Sequence, residues 1–190
     1  LLTGGAFELG QTELDVLTLP PTTADTAGLV GVLTTFHALA ATLGGRSSDA
    51  AAPMDAAAQL AEQFGDTGEI DSLGFVFGPV DTGIARIWLA LEADEPDRAA
   101  SVAETVQPGR HPFRVSQAHY WMHYGRALAR LRGRRDDAVR ALRTAEDIFP
   151  IKVRRDPLVR DVIATLLPGT RRDAIGTELR RMAHRAGLPM

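Results

Sequence analysis

Trp121-x2-Tyr124-Gly125-x2-Leu128, followed by Ala138-x3-Leu142-x2-Ala145-x4-Pro150, is the stretch whose reading decides the fold. Its apolar residues recur three and four apart on either side of Gly133, which predicts two helices joined by a tight turn. Gly125 lets the two helices approach closely, Ala138 and Ala145 do the same from the facing side, and Pro150 ends the second helix. A hairpin of this kind cannot bury its apolar stripe alone. It must stack on neighbours, so the rest of the chain is expected to supply more hairpins.

The spacing resembles one tetratricopeptide repeat, with the turn at Gly133 one residue longer and Leu142 where the repeat usually has an aromatic. Upstream, Leu29, Val30, Leu33, Phe36, His37, Leu39, Ala40 and Leu43 keep helical spacing from Thr26, a candidate cap, to the stop at Gly44-Gly45. Asp49 is read as the cap of a second helix, with Ala52, Ala56, Ala57, Leu60, Ala61 and Phe64 as its small-residue face. After Phe75-Val76-Phe77-Gly78-Pro79, a helix is predicted near Asp81 with Ile84, Ile87, Trp88 and Leu91 on its buried side. Its partner carries Ala99, Val102, Ala103 and Val106 and ends at Pro108-Gly109. Past Pro150, helices are predicted over 157–167 and 173–186. The only strand-like residues, 75–77, are too few to start a sheet. The expected architecture is all-α, a tetratricopeptide-like stack of antiparallel helical hairpins over 26–190, preceded by a short helix and turn in 1–25.

Hydrophobic residues at 45% and charged residues at 24% suit a soluble globular chain. Cysteine is absent, which excludes disulfides, thiolate metal sites and cysteine nucleophiles. No apolar run is read as a membrane span and no signal peptide is read at the N-terminus, so a cytoplasmic protein without membrane contact is expected. The chain opens Leu1-Leu2 without methionine, which points to a longer parent. Charge is polarised: residues 1–95 hold two arginines against fourteen acids, and residues 96–190 hold nineteen Lys and Arg against ten acids. Such segregation signals a partner, or complementarity between adjacent turns of one stack.

Chemical motifs are scarce. His119 and His123 stand four apart on one helical face, as two metal-binding imidazoles would, but no glutamate follows the first and no third ligand stands near. Nucleophile elbows and phosphate-binding glycine loops are missing. The reading is therefore a non-enzymatic protein without cofactor or metal. Arg126, Arg130, Arg132, Arg134, Arg135, Arg140 and Arg143, with Arg171, Arg172, Arg180, Arg181 and Arg185, suit carboxylates or phosphates. With no nucleic-acid motif beside them, a peptide carboxylate or a partner's acidic face is the expected contact.

From about Leu29 onward the chain resembles the C-terminal sensor region of actinobacterial XRE-type helix-turn-helix transcriptional regulators. The resemblance rests on Phe77-Gly78-Pro79, Ile84-Ala85-Arg86, Glu95-Pro96-Asp97-Arg98-Ala99, the run from Val153 to Arg160, and the tail from Leu179 to Leu188. It implies a signal-sensing and dimerisation domain that binds a peptide or small molecule in a concave groove. A homodimer is expected, and DNA would be reached only through a domain outside this chain. The alternative is a constitutive protein-binding adaptor of the same fold. Family geometry and the Trp121 register put His119, Met122, His123, Arg126 and Arg130 on the groove face, and Asp81 and Arg86 on the equivalent face of the preceding hairpin. Trp88 takes a place where relatives usually have a small residue.

Overall fold

The computed structural model describes residues 23–65, 76–168, 170 and 172–189. The expected helix within 7–19 lies outside them, as does Phe75. Among the described residues the fold is all-α, with no strand. Helix α1 spans Ala24–Leu43, and Thr23 rather than Thr26 is its cap. The Thr23 hydroxyl accepts from the Thr26 amide at 3.2 Å and the Thr26 hydroxyl accepts from the Thr23 amide at 2.9 Å, so Thr26 completes a reciprocal capping box. Gly45, at φ 77°, turns the chain. A 3-10 turn, Ser47–Ala50, takes the place predicted for the start of the next helix, and α2 follows at Ala51–Phe64.

Helix α3, Pro79–Glu92, starts two residues before Asp81, because Pro79 fits the first helical position. Next come α4, Pro96–Thr105, a 3-10 turn at Pro108–Arg110, α5, Arg114–Arg130, and α6, Arg135–Ile148. Pro150 ends α6 but also opens a helix absent from the sequence reading, α7, Pro150–Arg155, again by standing at its first position. Helix α8, Pro157–Leu166, is capped by Asp156, whose side chain accepts from the Leu158 and Val159 amides. Asp173 caps α9, Ala174–Arg185, in the same way through the Gly176 amide.

Helices pair along the chain, α1 with α2, α3 with α4 and α5 with α6, and each pair packs on the next. The pairs are antiparallel. Arg114, at the start of α5, donates to the Ile148 carbonyl at the end of α6 at 2.8 Å. A Cβ built on Gly83, early in α3, would lie 2.4 Å from Val106, just past α4. One built on Gly125 would lie 2.7 Å from Leu142 Cγ, so the glycine is required by the approach of α6. Three apolar clusters follow in order, around Ala38 and Met54, around Ile87 and Ala103, and around Leu142 and Ile163. Trp121 and Tyr124 touch both of the last two, so the signature residues join one layer to the next.

In α2 the buried residues are Met54, Ala57, Ala58 and Ala61, while Ala52 and Ala56 are exposed. The register there differs from the predicted one. Helix α1 contains an 18-residue stretch, Thr26–Leu43, long and apolar enough by length and composition to cross a membrane. Here it packs on α2 and α3, with Ala27, Ala38, Ala40 and Ala41 fully buried.

The arginines meet acids of the same chain. Glu146, only 3% exposed, accepts from Arg154 Nε at 2.7 Å and from Arg185 Nε and Nη2 at 2.8 and 2.6 Å. Burial alone would raise its pKa, but these guanidinium hydrogen bonds outweigh it and hold the carboxyl below its usual range. Arg143 reaches Asp147 and Glu178, and Arg134 and Arg140 share Asp137. Arg135 donates to the Leu166 carbonyl and the Thr170 hydroxyl, tying α6 to the end of α8. Arg135, Arg143, Arg154 and Arg185 are thus engaged between helices, whereas Arg140 is paired within α6.

Candidate functional site

A cavity of about 480 Å³ opens between α1, α3, α5 and the α7–α8 corner. Val32, Phe36 and Leu39 line it from α1, Val76 and Phe77 from the segment before α3, and Ile84, Ala85 and Trp88 from α3. Helix α5 contributes Ser116, His119, Met122, His123 and Arg126, and Lys152, Asp156 and Leu158 close the far side. Phe36 and Leu158 keep 43% and 47% exposure, large values for apolar side chains beside an opening. The wall is mainly apolar with a few convergent polar groups, which is the usual make-up of a small-molecule pocket, and the volume lies within the usual range.

Of the residues predicted for the groove, Asp81, His119, Met122, His123 and Arg126 line this cavity. Arg86 and Arg130 do not. Arg86 pairs with Asp55 of α2 at 3.2 Å. Arg130 bonds Asp94 at 2.7 Å and the Leu91 carbonyl at 3.2 Å, which locks the end of α5 to the end of α3. Position 130 shares the face of 119, 123 and 126, but it stands one turn, about 6 Å, further along α5 and so lies past the end of the cavity.

Helices α3 and α5 run side by side in one direction, with Asp81 beside His111 and Glu92 beside Arg126. That alignment builds a closed ring of contacts. Trp88 stacks on His123 with ring centroids 6.0 Å apart and planes 8° apart. The Trp88 indole N–H donates to Glu92 Oε1 at 3.1 Å, and Arg126 Nη2 donates to the same oxygen at 3.2 Å. Arg126 Nη1 lies 3.3 Å from His123 Nδ1, and a guanidinium can only donate. The His123 proton therefore sits on Nε2. Burial, with the positive charge of Arg126 next, pushes the His123 pKa down to about 3, so the ring is neutral at physiological pH. Burial and then Lys152 likewise lower His119, against a weaker pull from Asp156.

The sequence reading missed His111, which is 3% exposed. Its Nδ1 accepts the Phe113 amide at 3.0 Å, which leaves the proton on Nε2, 2.9 Å from Asp81 Oδ1. Gln117 donates to the His111 carbonyl at 2.7 Å and the His111 amide donates to the Pro108 carbonyl at 3.1 Å, so the turn into α5 is fixed by four hydrogen bonds around one residue. The two partners stand thirty residues apart and no local motif marks them. Trp88, predicted for the buried side of α3, is half-buried and faces the cavity instead. The side chains that form the α1 wall were legible only as core. Phe36, read as a core position, is exposed enough to meet a ligand.

Among the described residues no group of three or more His, Asp or Glu side chains comes together as a metal cage. His119 and His123 have ring centroids 6.2 Å apart. No family model, curated protein or solved structure matches the chain.

Proposed function

We propose that this chain is a non-enzymatic ligand-sensing domain of tetratricopeptide-like stacking, whose cavity between α1, α3, α5 and α7–α8 takes a small molecule. One observation carries the reading: a mainly apolar cavity of about 480 Å³ is walled by four separate parts of the chain. A ligand there touches successive helical pairs at once. It can favour one arrangement of the stack over another through its differential affinity for the two, which is what a sensor needs. The resemblance to XRE-type regulators supplies the output: a helix-turn-helix domain in the same polypeptide, held in a cytoplasmic homodimer, whose DNA affinity follows the state of the stack.

Thermal unfolding against a panel of small molecules and short peptides tests the reading. A ligand at a hundred times its Kd stabilises the folded chain by about 2.7 kcal/mol, a readily measured rise in Tm. Ser116→Trp, which places an indole in the cavity wall, should abolish the rise without changing the helical circular dichroism. Stabilisation that survives this substitution places the ligand elsewhere. The adaptor reading has its own support in Phe149, Ile151 and Leu158, apolar yet 38%, 64% and 47% exposed around α7 and α8. It predicts a protein partner whose binding is lost in Ile151→Asp and unaffected by Ser116→Trp.

A further inference from the structure

The charged groups that line the cavity are either paired with an opposite charge or, at Asp81, held by the neutral His111 ring on one oxygen and sealed on the other. Arg126 faces Glu92 at 3.2 Å, Lys152 lies 3.8 Å from Asp156, and Asp81 receives the His111 Nε2 proton. Arg126 and Glu92 are mostly covered, with side chains 12% and 26% exposed, so neither is free to meet a new counter-ion without leaving the other. An ionic ligand would give up its water and gain no accessible unpaired opposite charge in return, since the free oxygen of Asp81 is sealed.

Hydrogen-bonding capacity is what remains open. Among the described residues, His123 has its Nδ1 engaged by Arg126 and its Nε2–H without a partner, and neither nitrogen of His119 makes a hydrogen bond. Among the described residues the only side-chain nitrogen or oxygen that is both sealed and unpartnered is Asp81 Oδ2. The free imidazole nitrogens therefore keep accessible surface, on residues that line the cavity. Beside them lie the flat face of Trp88, the exposed ring of Phe36 and the thioether of Met122.

We infer that the cavity selects an uncharged amphipathic small molecule, an apolar body with one hydroxyl or carbonyl head that bonds to the open nitrogens of His119 and His123. The inference rests on the small-molecule reading above and narrows its ligand class. It is tested by calorimetric titration of the whole chain at about pH 7.5, away from the histidine titrations, with three probes sharing one skeleton: 4-phenyl-1-butanol, 4-phenylbutylammonium and 4-phenylbutyrate. The alcohol should bind at least tenfold more tightly than either ion. Replacing His123 by Phe keeps a ring against Trp88 but removes the N–H, and should weaken the alcohol roughly three- to tenfold, the worth of one hydrogen bond. His119→Leu provides the same test on a second ring if the first variant unfolds. Either ion binding as tightly as the alcohol overturns the charge argument and leaves the small-molecule reading intact. Full alcohol affinity in both folded histidine variants overturns the assignment of the head group. If none of the three probes binds, this inference and the small-molecule reading beneath it both fall.

Discussion

Replacing Gly125 by Ala tests the packing from which the fold is built. The added methyl would stand 2.7 and 2.8 Å from Leu142 Cγ and Cδ2 and 3.4 Å from the Ala138 carbonyl oxygen. Carbon atoms rest about 3.5–4.0 Å apart, so the shortfall is about 1 Å on two atoms of a side chain with no exposed surface. Either Leu142 leaves its rotamer or α5 and α6 separate, and overpacking of this kind costs about 1–3 kcal/mol. Alanine returns about 1 kcal/mol of helix propensity, leaving a net loss of about 0–2 kcal/mol. Leu142→Ala alone should cost about 2–5 kcal/mol, since it empties a fully buried site. In the double variant the methyl added at position 125 occupies part of that space, so the combined loss should fall short of the sum of the two by more than about 0.5 kcal/mol, beyond ordinary additivity error. Urea unfolding of the four proteins measures the cycle. A Gly125→Ala variant more stable than the parent, with additive effects in the cycle, would refute close contact between these helices.

Acid should destabilise the chain before its carboxylates titrate. The His123 pKa is about 3 in the folded chain and 6.5 in the unfolded one, so between those values only the unfolded chain takes up the proton. The stabilisation is complete above about pH 6.5 and is lost as pH falls, by about 2 kcal/mol at about pH 5. His119, also lowered, acts in the same direction. Unfolding midpoints in urea from about pH 7.5 to about pH 5 should show this slope flattened in His123→Phe, and an unchanged slope would remove His123 as its source. Glu146→Ala removes the buried carboxylate shared by Arg154 and Arg185, which are themselves 41% and 25% exposed, and should cost about 1.5–3 kcal/mol by the same assay. Asp137→Ala, which breaks an exposed pair of arginine contacts, should barely move the midpoint, and equal effects would contradict the burial of the Glu146 network.

The helices were legible where glycine, proline or a capping side chain punctuated an apolar period, as at Gly44-Gly45, Pro157 and Asp173, while the starts read at Thr26, Asp49 and Asp81 were displaced by a few residues. The α5–α6 signature showed which pair would pack most closely, because Gly125 has no other use in mid-helix. Where contrast was missing, so was the register: in α2 six alanines and a single methionine give almost no periodic signal, and Met54 was passed over. Pro150 was read as a stop because a proline that ends one helix and one that begins the next look identical locally. Of the cavity, the α5 face could be read from helical spacing, since positions 119, 122, 123 and 126 share it. Of the α3 wall Asp81 was read, but the walls from α1 and the α7–α8 corner could not be, because they reach the cavity through tertiary packing alone. The same holds for the arginines. Their acceptors lie up to thirty-nine residues away, so the sequence showed a basic cluster and the fold shows a set of bonds between helices.

The cavity itself is most directly tested through the methyl groups of the methionines. Met122, a buried member of the third apolar cluster, lines the cavity, whereas Met54 in the first cluster and Met182 in the third do not. With the methionine methyls labelled with carbon-13, titration of 4-phenyl-1-butanol should shift the Met122 resonance and leave those of Met54 and Met182 in place. A shift at Met54 or Met182 with Met122 unmoved, or no shift at saturating alcohol, would contradict a ligand cavity between α1, α3, α5 and the α7–α8 corner.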